Sequence, residues 1–167
     1  MVARREVQRR LEDFKQIAKE AGVKLTRQRL EIFKVVAYSE EHPSAQAVYK
    51  TVQTDMPTVS LDTVYRTLWL LADLGLLTTV APRYSGVRFD ANVTDHHDYR
   101  CVRCGLLRDL ESSEFNSLPI PESVQRFGEV VSAHVEVRGI CAKCAAASAE
   151  PKSTRSDASA KDRPRSE

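Results

Sequence analysis

Apolar positions recur at helical steps from the start of the chain. Val7, Leu11, Phe14, Ala18 and Ala21 repeat at intervals of three and four and predict an amphipathic helix over residues 4 to 21, closed by Gly22. Thr26 caps a second helix that shares Leu30, Phe33 and Ala37 on one face and breaks at the loop from Tyr38 to Pro43. Ser44 caps a third, burying Ala45, Val48, Tyr49 and Val52 and stopping before Pro57. Ser60 opens a fourth with Leu61, Val64, Leu68 and Leu71 inward. After Gly75 the period shortens. Residues 76–81 and 87–89 predict two strands joined by a turn-rich hairpin. Helices followed by a hairpin predict a winged helix, whose last helix enters the DNA major groove while the hairpin flanks the backbone.

Beyond Asp98 the pattern is of short strands at 99–102, 106–110 and 130–137, with a short helix opened by Pro121 at its first position. The expected fold class is therefore α/β in the α+β sense. Residues 1–90 form a winged-helix DNA-binding domain and 91–148 a small α/β domain with little core, which needs a metal or a partner chain for stability. Residues 149–167 hold no large apolar side chain and predict a disordered tail.

The outer face of the fourth helix carries Asp62, Tyr65, Arg66 and Trp69 at helical spacing. Groove and phosphate contacts account for an aromatic beside an arginine there. Packing of Tyr65 and Trp69 on a neighbouring element accounts for them as well. The candidate DNA-contacting set is Asp62, Thr63, Tyr65 and Arg66, with Arg83 at the hairpin tip. The net charge is only +2, but residues 1–29 hold nine basic groups against four acidic ones. A nucleic-acid-facing arm or a solvated helix face would each show that excess. No apolar run approaches the roughly 18 to 20 residues of a membrane span, and the start of the chain lacks the apolar stretch of a secretory signal. A soluble, cytoplasmic protein is expected, with no membrane partner.

All four cysteines fall in two C-x-x-C pairs, Cys101/Cys104 and Cys141/Cys144. Two such knuckles supply four thiolates to a tetrahedral zinc, and structural zinc is the expected occupant. Thirty-six residues separate the pairs, room for the predicted strand, helix and strand. A second group mixes imidazoles with carboxylates, which suits a harder, exchangeable ion. His96 and Asp98 alternate onto one face of an extended segment and His97 onto the other. Asp90 ends the preceding strand, Asp109 follows the first knuckle, and His42 lies in the loop before the third helix. Spacing alone does not bring His42 to His96, and each of these residues alone is ordinary in a turn or loop.

Several linked motifs then resemble the ferric uptake regulator (Fur) family. They are HPSAQAVYK (His42 to Lys50), SLDTVYRTLWLLADLGLL (Ser60 to Leu77), RFD (Arg88 to Asp90), DHHDYRCVRCG (Asp95 to Gly105) and GICAKC (Gly139 to Cys144). The resemblance runs from about residue 10 to 148. It implies a homodimeric, metal-dependent transcriptional repressor that binds double-stranded operator DNA and is not an enzyme. It also implies a regulatory iron(II) or manganese(II) ion at the domain junction, held by His42, Asp90, His96, Asp98 and Asp109. Asp90 and Asp109 stand where the iron-uptake branch usually has glutamate, so the chain is most similar to the peroxide-sensing PerR branch. There, peroxide reacts at bound iron and oxidises a ligand histidine, here His42 or His96. The alternative is a Fur-type repressor that responds to metal level without sensing peroxide. One departure stands out: the family usually has histidine at Asp98. Either Asp98 is the ligand, giving two imidazoles and three carboxylates, or His97 substitutes. His134 is either the counterpart of a family histidine or a strand residue facing solvent.

Overall fold

The computed structural model describes residues 2–80 and 86–149. The hairpin tip with Arg83, and the tail beyond residue 149 for which disorder is expected, lie outside the described residues. Four helices come first: α1 (Arg4–Glu20), α2 (Arg27–Ala37), α3 (Ala45–Asp55) and α4 (Leu61–Asp73). Gly22 sits at φ +67° just after α1, and the Val23 amide returns to the Ala18 carbonyl at 2.8 Å. That left-handed turn satisfies an end carbonyl at a backbone angle that glycine adopts without strain. Thr26, Ser44 and Ser60 each accept a backbone N–H three residues on, as their positions predict. The apolar stripes meet in one core around Phe14, Phe33, Val64, Leu68, Leu71 and Phe89. Phe14 and Phe33 stack with ring centroids 4.8 Å apart.

Strands β1 (Thr78–Val80) and β2 (Arg88–Asp90) pair antiparallel with Thr78 opposite Asp90. β2 is also tied back to the helices. The Phe89 amide donates to the Pro43 carbonyl at 3.1 Å, and Ser44 bridges Arg88. This contact sets His42 beside Asp90.

The second sheet contains β3 (His97–Cys101), β4 (Leu107–Leu110) and β5 (Glu136–Gly139) in the order β4-β3-β5, with β3–β4 antiparallel and β3–β5 parallel. Between β4 and β5 lie two short helices, α5 (Ser113–Asn116) and α6 (Glu122–Gln125). Helix α7 (Ala142–Ala149) follows β5. Three expectations are corrected here. The strand predicted over 130–137 is present only from Glu136, because β3 starts at His97 and 130–134 have no strand beside them to pair with. Val131 is accordingly 94% exposed. Pro121 is the cap of α6 rather than its first residue. Helices α5 and α7 were not foreseen, although the run Ala145–Ala147 has the highest helix propensity available.

From residue 97 onward Cys101 and Leu107 are the buried hydrophobic residues among those described. So thin a core cannot hold a three-stranded sheet without cross-links or a partner surface.

Candidate metal centres and DNA-facing surface

The antiparallel turn between β3 and β4 carries Cys101 and Cys104, with Gly105 at φ +72° closing it. Cys141 and Cys144 bracket the start of α7, one parallel strand away. The four sulfurs lie within 4.8 Å of one another, and Cys104 Sγ is 3.7 Å from Cys141 Sγ. Tetrahedral zinc with Zn–S of about 2.3 Å places its sulfurs roughly 3.8 Å apart, so the donor set fits that ion. The Cys141 amide donates to Cys101 Sγ at 3.3 Å. Backbone amides of Cys141 and Cys104 lower the Cys101 thiol to about 6, favouring the thiolate a metal needs.

The second cluster forms where the two sheets meet. One donor atom from each of His42, His96, Asp98 and Asp109 lies within 4.8 Å of all the others. Asp90 adjoins this set, its Oδ2 3.3 Å from both His42 Nε2 and His96 Nε2. His42 Nε2 is also 2.8 Å from Asp109 Oδ1. These approaches are short but lack hydrogen-bond geometry, and His42 Nε2, Asp90 Oδ2 and Asp98 Oδ1 remain buried without a hydrogen-bond partner. Buried polar atoms are rarely left so. Donors that converge without bonding one another are what an ion's ligands look like. The strand register adds to this: Asp98 and Asp109 are directly opposed across β3 and β4. Like charges facing one another in a sheet destabilise it unless a cation lies between them. The residues present therefore fit a divalent ion.

Further contacts position His96, Asp90, Asp109 and the His42 loop. His96 Nδ1 donates to the Thr94 carbonyl at 2.8 Å, which leaves Nε2 as the nitrogen turned toward the cluster. Asn92 braces two carboxylates: its amide donates to Asp90 Oδ1 at 2.8 Å and its side chain to Asp109 Oδ2 at 2.7 Å. The other oxygen of each is left for the cluster. His42 sits at φ +47°, a left-handed angle uncommon outside glycine, just before Pro43. Its loop is held by Arg88, which donates to the His42 and Glu41 carbonyls, and by Arg108, which donates to the Glu40 carbonyl and pairs with Glu41.

Burial opposes charge on His42, but the Asp109 and Asp90 carboxylates outweigh it and raise the imidazole to about 9. Asp90 raises His96 to about 9 against the effect of burial. For Asp90 itself burial is outweighed by His42 and His96, and the carboxyl is held well below its usual range. Asp98 differs. Burial pushes its carboxyl up, with His42, His134 and His96 opposing.

The choice between Asp98 and His97 has a geometric answer. His97 is buried on the opposite face, its Nε2 2.9 Å from Asn116 Oδ1 and its Nδ1 accepting from the Val135 amide at 3.2 Å. Both ring nitrogens are occupied, and Asp98 faces the cluster. The bracing residues Asn92, Arg88 and Arg108 were missed in the sequence. Asparagine in a turn and arginine in a strand carry no signal of such a role.

On α4, Asp62 and Arg66 are exposed and paired at 3.1 Å. Tyr65 is half-buried and its hydroxyl meets the Gln46 side chain at 2.7 Å. Thr63 bonds Ser60 at the cap. Trp69 packs edge-on against Phe89 with centroids 5.7 Å apart while staying 45% exposed, so packing accounts for part of its placement. A groove at the start of α2 and along α4 brings Lys24, Arg29 and Arg66 together. The basic excess of α1 is partly consumed within the helix: Arg9 pairs with Glu6 and Asp13, and Arg10 with Glu6. Arg10 also reaches the Ala37 carbonyl at the end of α2. Among the described residues no helix is long and apolar enough to cross a membrane.

Comparison with known proteins agrees with this arrangement. The peroxide-responsive repressor PerR of Staphylococcus aureus is 28% identical over 138 residues, covering 83% of this chain and 93% of that protein. The ferric uptake regulator of Helicobacter pylori, described as having three functional metal-binding sites, superposes with a TM-score of 0.68 at 22% identity, over 88% of this chain and 96% of that one. The Vibrio cholerae ferric uptake regulator gives 0.61 at 25% identity, over 75% and 98%. The profile of the ferric uptake regulator family matches residues 20–138. With that match spanning most of its length, the chain belongs to the ferric uptake regulator family.

Proposed function

We propose that the protein is a homodimeric, metal-dependent DNA-binding repressor of the PerR type, sensing hydrogen peroxide through oxidation of a ligand histidine. One observation carries the reading: His42, delivered by the helical part, meets His96, Asp98 and Asp109 of the sheet part at one point. An ion there ties residues 1–90, the DNA-binding domain, to residues 91–148, the dimerisation domain. It selects the arrangement in which two α4 helices of a dimer match operator half-sites one helical turn, or a multiple, apart. Asp62, Thr63, Tyr65 and Arg66 read or flank the groove from α4, with Arg83 on the hairpin. Cys101, Cys104, Cys141 and Cys144 hold zinc and replace the missing core of the second sheet.

His42, Asp90, His96, Asp98 and Asp109 hold iron(II) or manganese(II). Three carboxylates with two imidazoles favour such hard ions over zinc. Iron(II), if bound there, would supply the electron that cleaves peroxide. The chain's part would be to hold the two rings there, His42 through the contacts of Arg88 and Arg108 with its loop and His96 through the Thr94 carbonyl at its Nδ1. Similarity to the Staphylococcus aureus peroxide-responsive repressor supports this branch. The test treats iron-loaded and manganese-loaded protein with peroxide and maps peptides by mass spectrometry. One added oxygen on the peptides bearing His42 or His96, in the iron form alone, is expected. No added oxygen in the iron form would leave a Fur-type repressor that chelation releases and peroxide does not.

A further inference from the structure

We infer that Arg108 is a positioning residue for His42: its guanidinium joins the second sheet to the loop before α3 through contacts that need no ion, and so presents that imidazole to the centre in advance. The inference rests on the proposal that the cluster holds a divalent ion. Packing does little to join the two parts of the chain. Among the described residues, none of α1 to α4 packs broadly on β3, β4 or β5. A cleft of about 570 Å³ lies between them, lined by Glu6 and Arg9 of α1 and by Arg108 and Glu111. Arg108 spans the gap. Nη1 donates to the Glu40 carbonyl at 3.0 Å and to the Leu107 carbonyl of its own strand at 2.9 Å, and Nη2 pairs with Glu41 Oε1 at 3.1 Å.

The loop needs such a hold. His42 stands at φ +47°, and a left-handed angle at a residue other than glycine persists only where the surroundings over-determine it. Arg88 takes the His42 carbonyl at 3.2 Å from β2, within the same part of the chain. Arg108 takes the Glu40 carbonyl from β4, and of the two it is the one that ties the loop to the sheet carrying Asp109. The carbonyl contact matters more than the ion pair. The Glu41 side chain is 72% exposed, where a pair of charges contributes little, whereas a charged donor makes a strong bond to a carbonyl. Arg108 and Asp109 are neighbours on β4, so seating the loop on one goes with His42 Nε2 lying 2.8 Å from the other. Where the loop is seated in only a fraction of the molecules, the apparent affinity for an ion falls by that fraction. The sign of the effect separates this role from plain electrostatics. A cation beside the centre repels a second one, so as a charge alone Arg108 would weaken ion binding and its removal would tighten it. As a positioning residue, its removal weakens binding.

The test uses full-length, zinc-loaded protein. In R108A, titration is expected to show manganese(II) binding about tenfold more weakly, with zinc content unchanged. Hydrogen exchange without manganese is expected to show the amides of residues 40–42 exchanging about tenfold faster, while those of α2 and α4 keep their protection. The loss acts through His42, so R108A adds little to it in an H42A background. Tighter or unchanged manganese binding in R108A, unaltered exchange of the loop, or an equal loss with and without H42A overturns the assignment. Faster exchange across α2 and α4 as well is general destabilisation and also overturns it. H42A alone separates the two readings. If it weakens manganese binding while R108A does not, only the role of Arg108 fails. If it leaves binding unchanged, the proposed centre itself fails and takes the inference with it.

Discussion

Loading the second centre should expel close to two protons per ion, and this number follows from the structure. In the metal-free protein His42 and His96 are both raised to about 9 by the carboxylates around them. At pH 7.5 a group with a pKa near 9 is about 97% protonated, so the pair carries ~1.9 protons. An ion takes only neutral imidazole, so those protons must leave. Histidines at the ordinary value of 6.5 would together release only about 0.2. The signs then oppose each other. A raised folded-state pKa contributes stability to the metal-free protein that is fully present below about 6.5 and is lost as pH climbs through about 9. Metal affinity rises over the same window, by up to roughly a hundredfold per pH unit while both groups remain protonated. Isothermal titration of manganese(II) into zinc-loaded, otherwise metal-free protein, repeated in buffers of different ionisation enthalpy, yields the proton count directly. A release below about half a proton at pH 7.5 would show that neither histidine is charged by its carboxylates in the metal-free protein.

Three further outcomes follow from named contacts. Asn92→Ala removes the donor to Asp109 Oδ2 while leaving every proposed ligand in place; manganese affinity should fall about ten- to hundredfold with zinc content unchanged, measured by the same titration. Cys141→Ser removes a sulfur and should release zinc, and with it the cooperative unfolding of the second sheet, read by metal analysis and thermal melting, while the helical core around Phe33 and Leu68 persists. Arg66→Ala, at a side chain 82% exposed, should leave the melting temperature unchanged but weaken operator binding and lower the slope of log K against log salt by about 0.9 if it neutralises one phosphate.

At Asp98, where the resemblance leads one to expect histidine, burial works against ionisation, while His42, His134 and His96 favour it, each more than Asp109 opposes it. If the cluster holds a divalent ion, that ion would take over the part these imidazoles play when charged.

Local order was legible in the sequence. The helical stripes, the caps at Thr26, Ser44 and Ser60 and the two cysteine knuckles are encoded by neighbours within one or two turns, and side-chain periodicity reports them. Resemblance supplied the candidate ligands, but not how they meet. That was decided by long-range contacts: Phe89 on the Pro43 carbonyl, which delivers His42 to Asp90, and the register that sets Asp98 against Asp109. The same register ends the sheet at His97, so the alternating residues before Val135 find no partner and His134 is left at the mouth of the cluster. Whether His97 or Asp98 faces the site likewise turned on which side of β3 is covered by α5, where Asn116 and Phe115 hold the His97 ring. Spacing along a chain determines which side chains share a face; only the packing of one element on another determines what that face meets.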